Sequence, residues 1–189
     1  MKYKAVVDQI RSGRMTRTEL QILRARAHAK QRDGDQDAHL ILQEVDSAVA
    51  RDSGIIFMGF CPSGDIANRL DAKWKSEGVC TFDFDESVKQ MSIFRSICAG
   101  DLVVLKKNKP EEFGKAMSLH GHGRVRALKT GEDGRRYLEM TWTEQDQVLL
   151  AVPLMGCQAT VNLRAMEKVE GEMPDEFFDW LGQPRVAQA

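Results

Sequence analysis

Residues 123–142 read GRVRALKTGEDGRRYLEMTW, and this stretch decides the fold class. Thr130-Gly131-Glu132-Asp133-Gly134 is a turn signal, because its glycines and acids tolerate the left-handed backbone that a tight reversal needs. Runs with strand character flank it, which predicts antiparallel strands at 123–128 and 137–142. An antiparallel hairpin at the centre of the chain makes the surrounding segment β-based.

Working outward, the segments before the hairpin alternate between strand and helix. Residues 55–60 (IIFMGF) form a β-branched and aromatic run that ends at Cys61-Pro62-Ser63-Gly64, a loop signal. Asp65 is placed to cap a helix over 66–76, with Leu70 and Trp74 on one face. Residues 79–84 (VCTFDF) read as a strand or an extended loop. Asp85 is placed to cap a second helix over 86–96, which presents Val88, Met91 and Phe94. Gly100-Asp101 turns into a buried strand at 102–106 (LVVLK), and a lysine-rich loop, KKNKPEEFGK, follows at 106–115.

After the hairpin come a strand at 148–154 and a further one at 161–163 or 166–169. Pro174 opens a final helix over 175–181, in which Phe177, Phe178, Trp180 and Leu181 cap a core. The expected fold class is α+β: a small, mostly antiparallel barrel of five to seven strands with two inserted helices.

The first fifty residues read differently. Helices are expected at 4–11, 17–31 and 36–50. The second opens on a capping box, Thr16 with Glu19, and places Leu20, Leu23 and Ala27 on one stripe. Asp33-Gly34-Asp35 supplies a turn, and the third helix carries Leu42, Val45 and Val49. A helix-turn-helix reader is weighed against a helical appendage solvated by arginine, and the turn lacks the reader's signature. The expected organisation is a basic helical segment (1–52), a β domain (53–182) and a disordered tail (183–189).

Across 189 residues, 27 Lys and Arg face 28 Asp and Glu, a net charge of −1, with 42% hydrophobic residues. That composition belongs to a globular chain, and no apolar run reaches the ~20 residues of a membrane span. The charge-broken N-terminus argues against a secretory signal, so a cytoplasmic location is expected. The neutral sum hides a polarity. Residues 1–32 hold nine Lys and Arg against Asp8 and Glu19, a net of +7, whereas the last 25 residues carry −4.

No phosphate-binding glycine loop, serine nucleophile elbow or zinc-protease helix is present. Cys61, Cys80, Cys98 and Cys157 have no paired spacing and read as reduced core thiols. A thiol or metal-dependent enzyme built on Cys61, Cys157, His120 and His122 is the sharper alternative. On a strand, His120 and His122 would share one face. No catalytic residue, metal or cofactor is assigned.

The more informative constellation is aromatic. Phe60, Trp74, Phe82, Phe84 and Trp142 are interleaved with Asn68, Arg69, Asp71, Lys73 and Lys75. Rings beside amide and charged groups can stack a planar base and bond its edges. The flanking lysines place Trp74 near a surface. Candidate ligand-binding residues are therefore Phe60, Asn68, Arg69, Trp74 and Trp142. Arg17, Arg24, Lys30, Lys106, Lys107 and Lys109 are candidates for nucleic-acid backbone contacts.

The order of these pieces resembles a PUA-like domain of the EVE type over about residues 54–169. The resemblance rests on the opening strand at 55–60, Trp74 followed by Gly78-Val79, then Phe94. It continues through Gly100-Asp101-Leu102-Val103-Val104 and Gly123-Arg124-Val125. The first strand lacks the family's usual Tyr-Trp, and Gly78-Val79 is not followed by its usual Arg-Asn. The resemblance implies a non-catalytic pseudobarrel that binds DNA or RNA, often reading a modified or flipped base. The second hypothesis is a protein-interaction domain, in which the basic helices dock an acidic partner or the acidic end of a second copy.

Overall fold

The computed structural model describes residues 2–12, 14–51, 54–61, 66–82, 88–109, 115–144 and 147–183. The chain divides into two compact units, Met1–Ser53 and Gly54–Ala189.

In the first unit, α1 (Lys4–Arg11), α2 (Arg17–Arg32) and α3 (Ala38–Arg51) are joined by short turns. The capping box at α2 is formed: Thr16 Oγ1 accepts from the Glu19 amide at 3.3 Å, and the Glu19 carboxylate accepts from the Thr16 amide at 2.7 Å. Helix α3 starts two residues later than the sequence predicts. The Asp35 carboxylate accepts from the Asp37 amide at 3.2 Å and from Lys2 at 2.8 Å, which holds the preceding turn open. Ala38, Ile41, Val45 and Val49 form the buried face of α3, with Ile41 in the place expected of Leu42. Spacings of three and four put that set on one side of the helix, against Val7 and Ile10 of α1 and Leu20 and Ala27 of α2.

The second unit contains β1 (Gly54–Gly59), a 3-10 turn at Ile66–Asn68, α4 (Asp71–Glu77), β2 (Val79–Thr81) and α5 (Val88–Arg95). It continues with β3 (Leu102–Lys109), β4 (Ala116–Thr130), β5 (Arg136–Trp142), β6 (Leu149–Pro153) and β7 (Val161–Ala165). Helices α6 (Met166–Glu172) and α7 (Asp175–Leu181) complete the described residues. The strands form one seven-stranded mixed sheet in the order β2-β5-β4-β3-β1-β7, with β6 paired to β4 off that path. The fold is α+β, as expected. The described strands leave β2 and β7 at open ends, so they do not close into the expected barrel.

The reason lies at the centre of the sheet, where β1 and β3 run parallel and all other pairs are antiparallel. A parallel pair needs a crossover, here through α4, β2 and α5. It is buried on both faces, which is why Ile55–Met58 and Leu102–Leu105 are unbroken apolar runs. On one face Ile55, Phe57, Leu102 and Val104 pack with Val169, Met173 and the aromatic residues of α7. On the other, Ile56, Met58, Val103 and Leu105 pack with Trp74 of α4 and Phe94 of α5. Two helix-covered faces replace a barrel interior.

The hairpin of β4 and β5 forms where the turn signal predicts. At Gly100-Asp101 the Asp101 carboxylate accepts from the Cys98 amide at 2.8 Å, and Gly100 adopts φ +94°, so β3 begins from a tight bend. The helix expected over 66–76 is interrupted. The Leu70 amide donates to the Phe60 carbonyl at 2.9 Å, which ties this stretch to the end of β1 and delays α4 until Asp71. The lysine-rich loop begins later than predicted, because β3 runs on to Lys109. Residues 166–169 are helical rather than extended, and the preceding strand is β7. The caps at Asp65 and Asp85, Phe84, most of the 106–115 loop beyond Lys109, and the tail from residue 184 lie outside the described residues. Among the described residues, no helix is long and apolar enough to cross a membrane.

Candidate functional site

Strand β4 carries an irregularity that builds the site. Leu105 pairs with Gly121, but Lys106 pairs with Leu119, so His120 is an extra residue in β4. The bulge swings its imidazole out of the strand's alternation and onto the Phe60 ring, edge to face, with centroids 4.7 Å apart. Gly121 adopts φ +152°, and a Cβ there would lie 2.6 Å from Lys75 Cε. The missing side chain lets Lys75 cross the strand and donate to the His120 carbonyl at 2.7 Å.

The groups around His120 come from four elements. Arg69, just before α4, holds the Asp71 carboxylate through Nε at 2.7 Å and Nη2 at 2.5 Å. Its guanidinium carbon lies 5.6 Å from the Phe60 ring centroid, a cation–π distance. On β4, Ser118 Oγ lies 2.9 Å from His120 Nε2. Across the ladder, Ser118 pairs with Lys107 of β3. Lys106 and Lys107 leave opposite faces of β3, so only the second turns toward this site.

Burial, then the positive charge of Arg69, pushes the His120 imidazole down to about 4; Lys107 and Lys75 push the same way and Asp71 opposes them. The ring is therefore neutral at pH 7. Burial acts to raise the Asp71 carboxyl, but the hydrogen bonds and charge of Arg69 outweigh it and hold the group below its usual range. Three cations face one carboxylate around a neutral, half-buried ring, an arrangement suited to holding an anion. It is poorly suited to activating Ser118, since a base works best with a pKa near the operating pH.

Phe60 and Arg69 join this cluster, but the rest of the predicted aromatic pocket does not open to solvent. Trp74 is 1% exposed, contrary to the surface position expected from its lysine neighbours. Its indole donates to Thr81 Oγ1 at 3.2 Å, while of the flanking lysines Lys73 is exposed and Lys75 is half-buried against the His120 carbonyl. Phe60 is also fully buried, and Phe82 stacks on Phe94 at 5.2 Å within the core. Trp142 is half-buried and donates from Nε1 to the Trp74 carbonyl at 2.9 Å. Asn68 is exposed on the 3-10 turn.

The predicted backbone grips also divide. Lys107 belongs to the cluster, and Lys109 ends β3 half-buried. Lys106 is 3% exposed on the opposite face, where its ammonium donates to Asn108 Oδ1 at 2.9 Å. Burial lowers that amine to about 8. Arg17 is buried at the start of α2, and Arg24 pairs with Asp46 at 3.0 Å. Lys30 is exposed, with its ammonium 5.6 Å from the Tyr3 ring centroid.

The four residues of the thiol or metal alternative do not converge on one site. The bulge at His120 sends the two histidines to opposite faces: His120 meets Phe60, whereas His122 meets Trp180 with centroids 4.8 Å apart. Cys61 packs on the α4 side and Cys157 on the α7 side. Among the described residues no group of three His, Cys, Asp or Glu is placed to hold a metal. Cys80, Cys98 and Cys157 are buried, and Cys61 is half-buried.

Sequence reasoning passed over His120, Lys75 and Ser118 as ligand-site residues. The available signal was Gly121, a glycine that inside a strand marks a bulge or close approach. Compared with protein-family models, with curated proteins and with solved structures, the chain matches none of them. The class that fold and site define is an α+β protein with a seven-stranded mixed sheet and a cationic cluster at a β-bulge.

Proposed function

We propose that the Gly54–Ala189 unit is a non-catalytic nucleic-acid-binding module that holds phosphate at the cluster around His120. The observation that carries this reading is the convergence of Arg69, Lys75 and Lys107 on one half-buried neutral ring. Phosphate contacts of this kind supply affinity without sequence information. The PUA-like, EVE-type resemblance supports the same reading. Its motif residues fall on β1, α4, α5, β3 and β4 in the family's order. In this account the sheet is a relative of the pseudobarrel, and base stacking falls to Trp142 rather than to the buried Phe60 or Trp74.

Titration of labelled single-stranded and duplex DNA and RNA at low and high salt tests the proposal. Binding that weakens steeply with salt, and weakens further in Lys107→Gln, is expected. Absence of salt-dependent binding to every nucleic acid tried contradicts it.

A second reading is favoured by the charged surfaces. Arg26, Lys30 and Arg32 are exposed on α2, and Glu167, Glu172, Asp175, Glu176 and Asp179 are exposed on α6 and α7. These surfaces suit docking of an acidic partner by the helical unit, including the acidic end of a second copy. Sedimentation without nucleic acid, at low and high salt, distinguishes the two: self-association that dissolves with salt supports the second reading.

A further inference from the structure

We propose that the cluster takes up a proton when it takes up an anion, with His120 as the group that charges. The inference rests on the phosphate-binding reading above and names its regulation. The ligand class is a tetrahedral oxyanion, the chemistry shared by a nucleic-acid phosphodiester and a free sulfate.

The His120 ring centroid lies 4.7 Å from that of Phe60, and the Arg69 guanidinium carbon lies 5.6 Å from the same Phe60 centroid. Lys75 is fixed to its carbonyl, and Ser118 Oγ stands against Nε2. The charged groups facing the imidazole are Arg69 and Asp71 from the start of α4, Lys75 from within α4, and Lys107 from β3. Ser118 is the polar neighbour on its own strand, and the half-buried Cys61 thiol lies near Arg69.

Without a ligand, burial first, and then three cations against one carboxylate, oppose a positive charge on the ring. An anion among those cations removes the repulsion and adds an attraction. Protonation of the imidazole then becomes favourable, and Nε2 changes from one of a donor–acceptor pair into an obligate donor. The two events are thermodynamically linked: whatever raises proton affinity on binding raises anion affinity on acidification. If the anion restores the ring to about its ordinary 6.5, affinity rises about tenfold between about pH 7.5 and pH 5.5.

The experiment uses sulfate and oligothymidylate, since neither titrates in that interval. The His120 imidazole is followed by NMR during pH titration of the full chain, with and without saturating sulfate, and oligothymidylate affinity is measured at both ends of the interval. A His120 midpoint that moves up by more than one unit with sulfate supports the proposal. So does an oligothymidylate affinity that loses its pH dependence in His120→Asn. A midpoint that saturating sulfate leaves in place, or sulfate that does not bind, overturns it. If sulfate shifts His120 but no nucleic acid binds, the proposed function fails while this inference stands. If oligothymidylate binds without moving His120, the inference fails while the function stands. A wild-type pH dependence that survives unchanged in His120→Asn also overturns it.

Discussion

Lys75 reaches across Gly121 and donates its ammonium to the carbonyl of His120 at 2.7 Å. The contact joins α4 to the bulge of β4, and it exists because position 121 has no side chain. In Gly121→Ala the new methyl displaces only the flexible end of Lys75, although it must also accept φ +152°. The variant is expected to stay folded, losing about 1–2 kcal/mol in urea denaturation, while oxyanion binding falls. Unchanged binding would show that Lys75 does not serve the site.

Gly123 tests the packing two residues away. A Cβ there would lie 2.6 Å from the Thr141 carbonyl oxygen and 2.7 Å from Trp142 Cε3. Backbone cannot step aside as a lysine does. Gly123→Ala should therefore cost more than Gly121→Ala, about 3 kcal/mol, and raise the solvent exposure of Trp142 in fluorescence quenching.

Lys106 is the clearest stability lever. With its amine lowered to about 8 by burial, the folded protein bears a cost whenever that amine is charged. The unfolded amine titrates near 10.4, so this cost is full below about pH 8 and disappears as pH rises toward 10.4. Lys106→Met should stabilise the protein at pH 7 by about 1–2 kcal/mol, since Asn108 Oδ1 loses its donor and offsets part of the gain. The variant should also flatten the rise in stability between pH 8 and pH 10.4, measured by chemical denaturation.

His120 has the same sign at lower pH. Its folded value of about 4 lies below the ordinary 6.5, so the unfolded chain binds the proton first. Stability contributed by the neutral ring is present above about pH 6.5 and is lost progressively toward pH 4. His120→Gln should reduce that acid-side slope in denaturation experiments without an anion present.

Local chemistry made much of the fold legible. The Thr16–Glu19 capping box, the Gly131–Gly134 turn and the Pro174 start of α7 each act over a few residues, and each forms where the sequence predicts. The parallel pairing of β1 with β3 depends on the crossover through α4 and α5 covering one face and on α6 and α7 covering the other, contacts that IIFMGF by itself does not specify. Trp74 illustrates the same limit within the site. Its neighbours Lys73 and Lys75 are exposed and half-buried, and helical period, rather than local charge, decides that the indole goes inward. The two histidines were misread because strict alternation was assumed across a bulge, and the lysines because a buried strand continued through the first of them.

The most direct measurement of the central claim is the salt dependence of single-stranded oligonucleotide binding by the wild type, Lys75→Gln and Lys107→Gln. Each lysine that contacts phosphate adds about 0.7 to the slope of log affinity against log salt. The account predicts binding in the wild type, with a slope that drops by about that amount in each variant while folding is retained. Equal slopes in all three proteins, or a wild type that binds no nucleic acid, would contradict it.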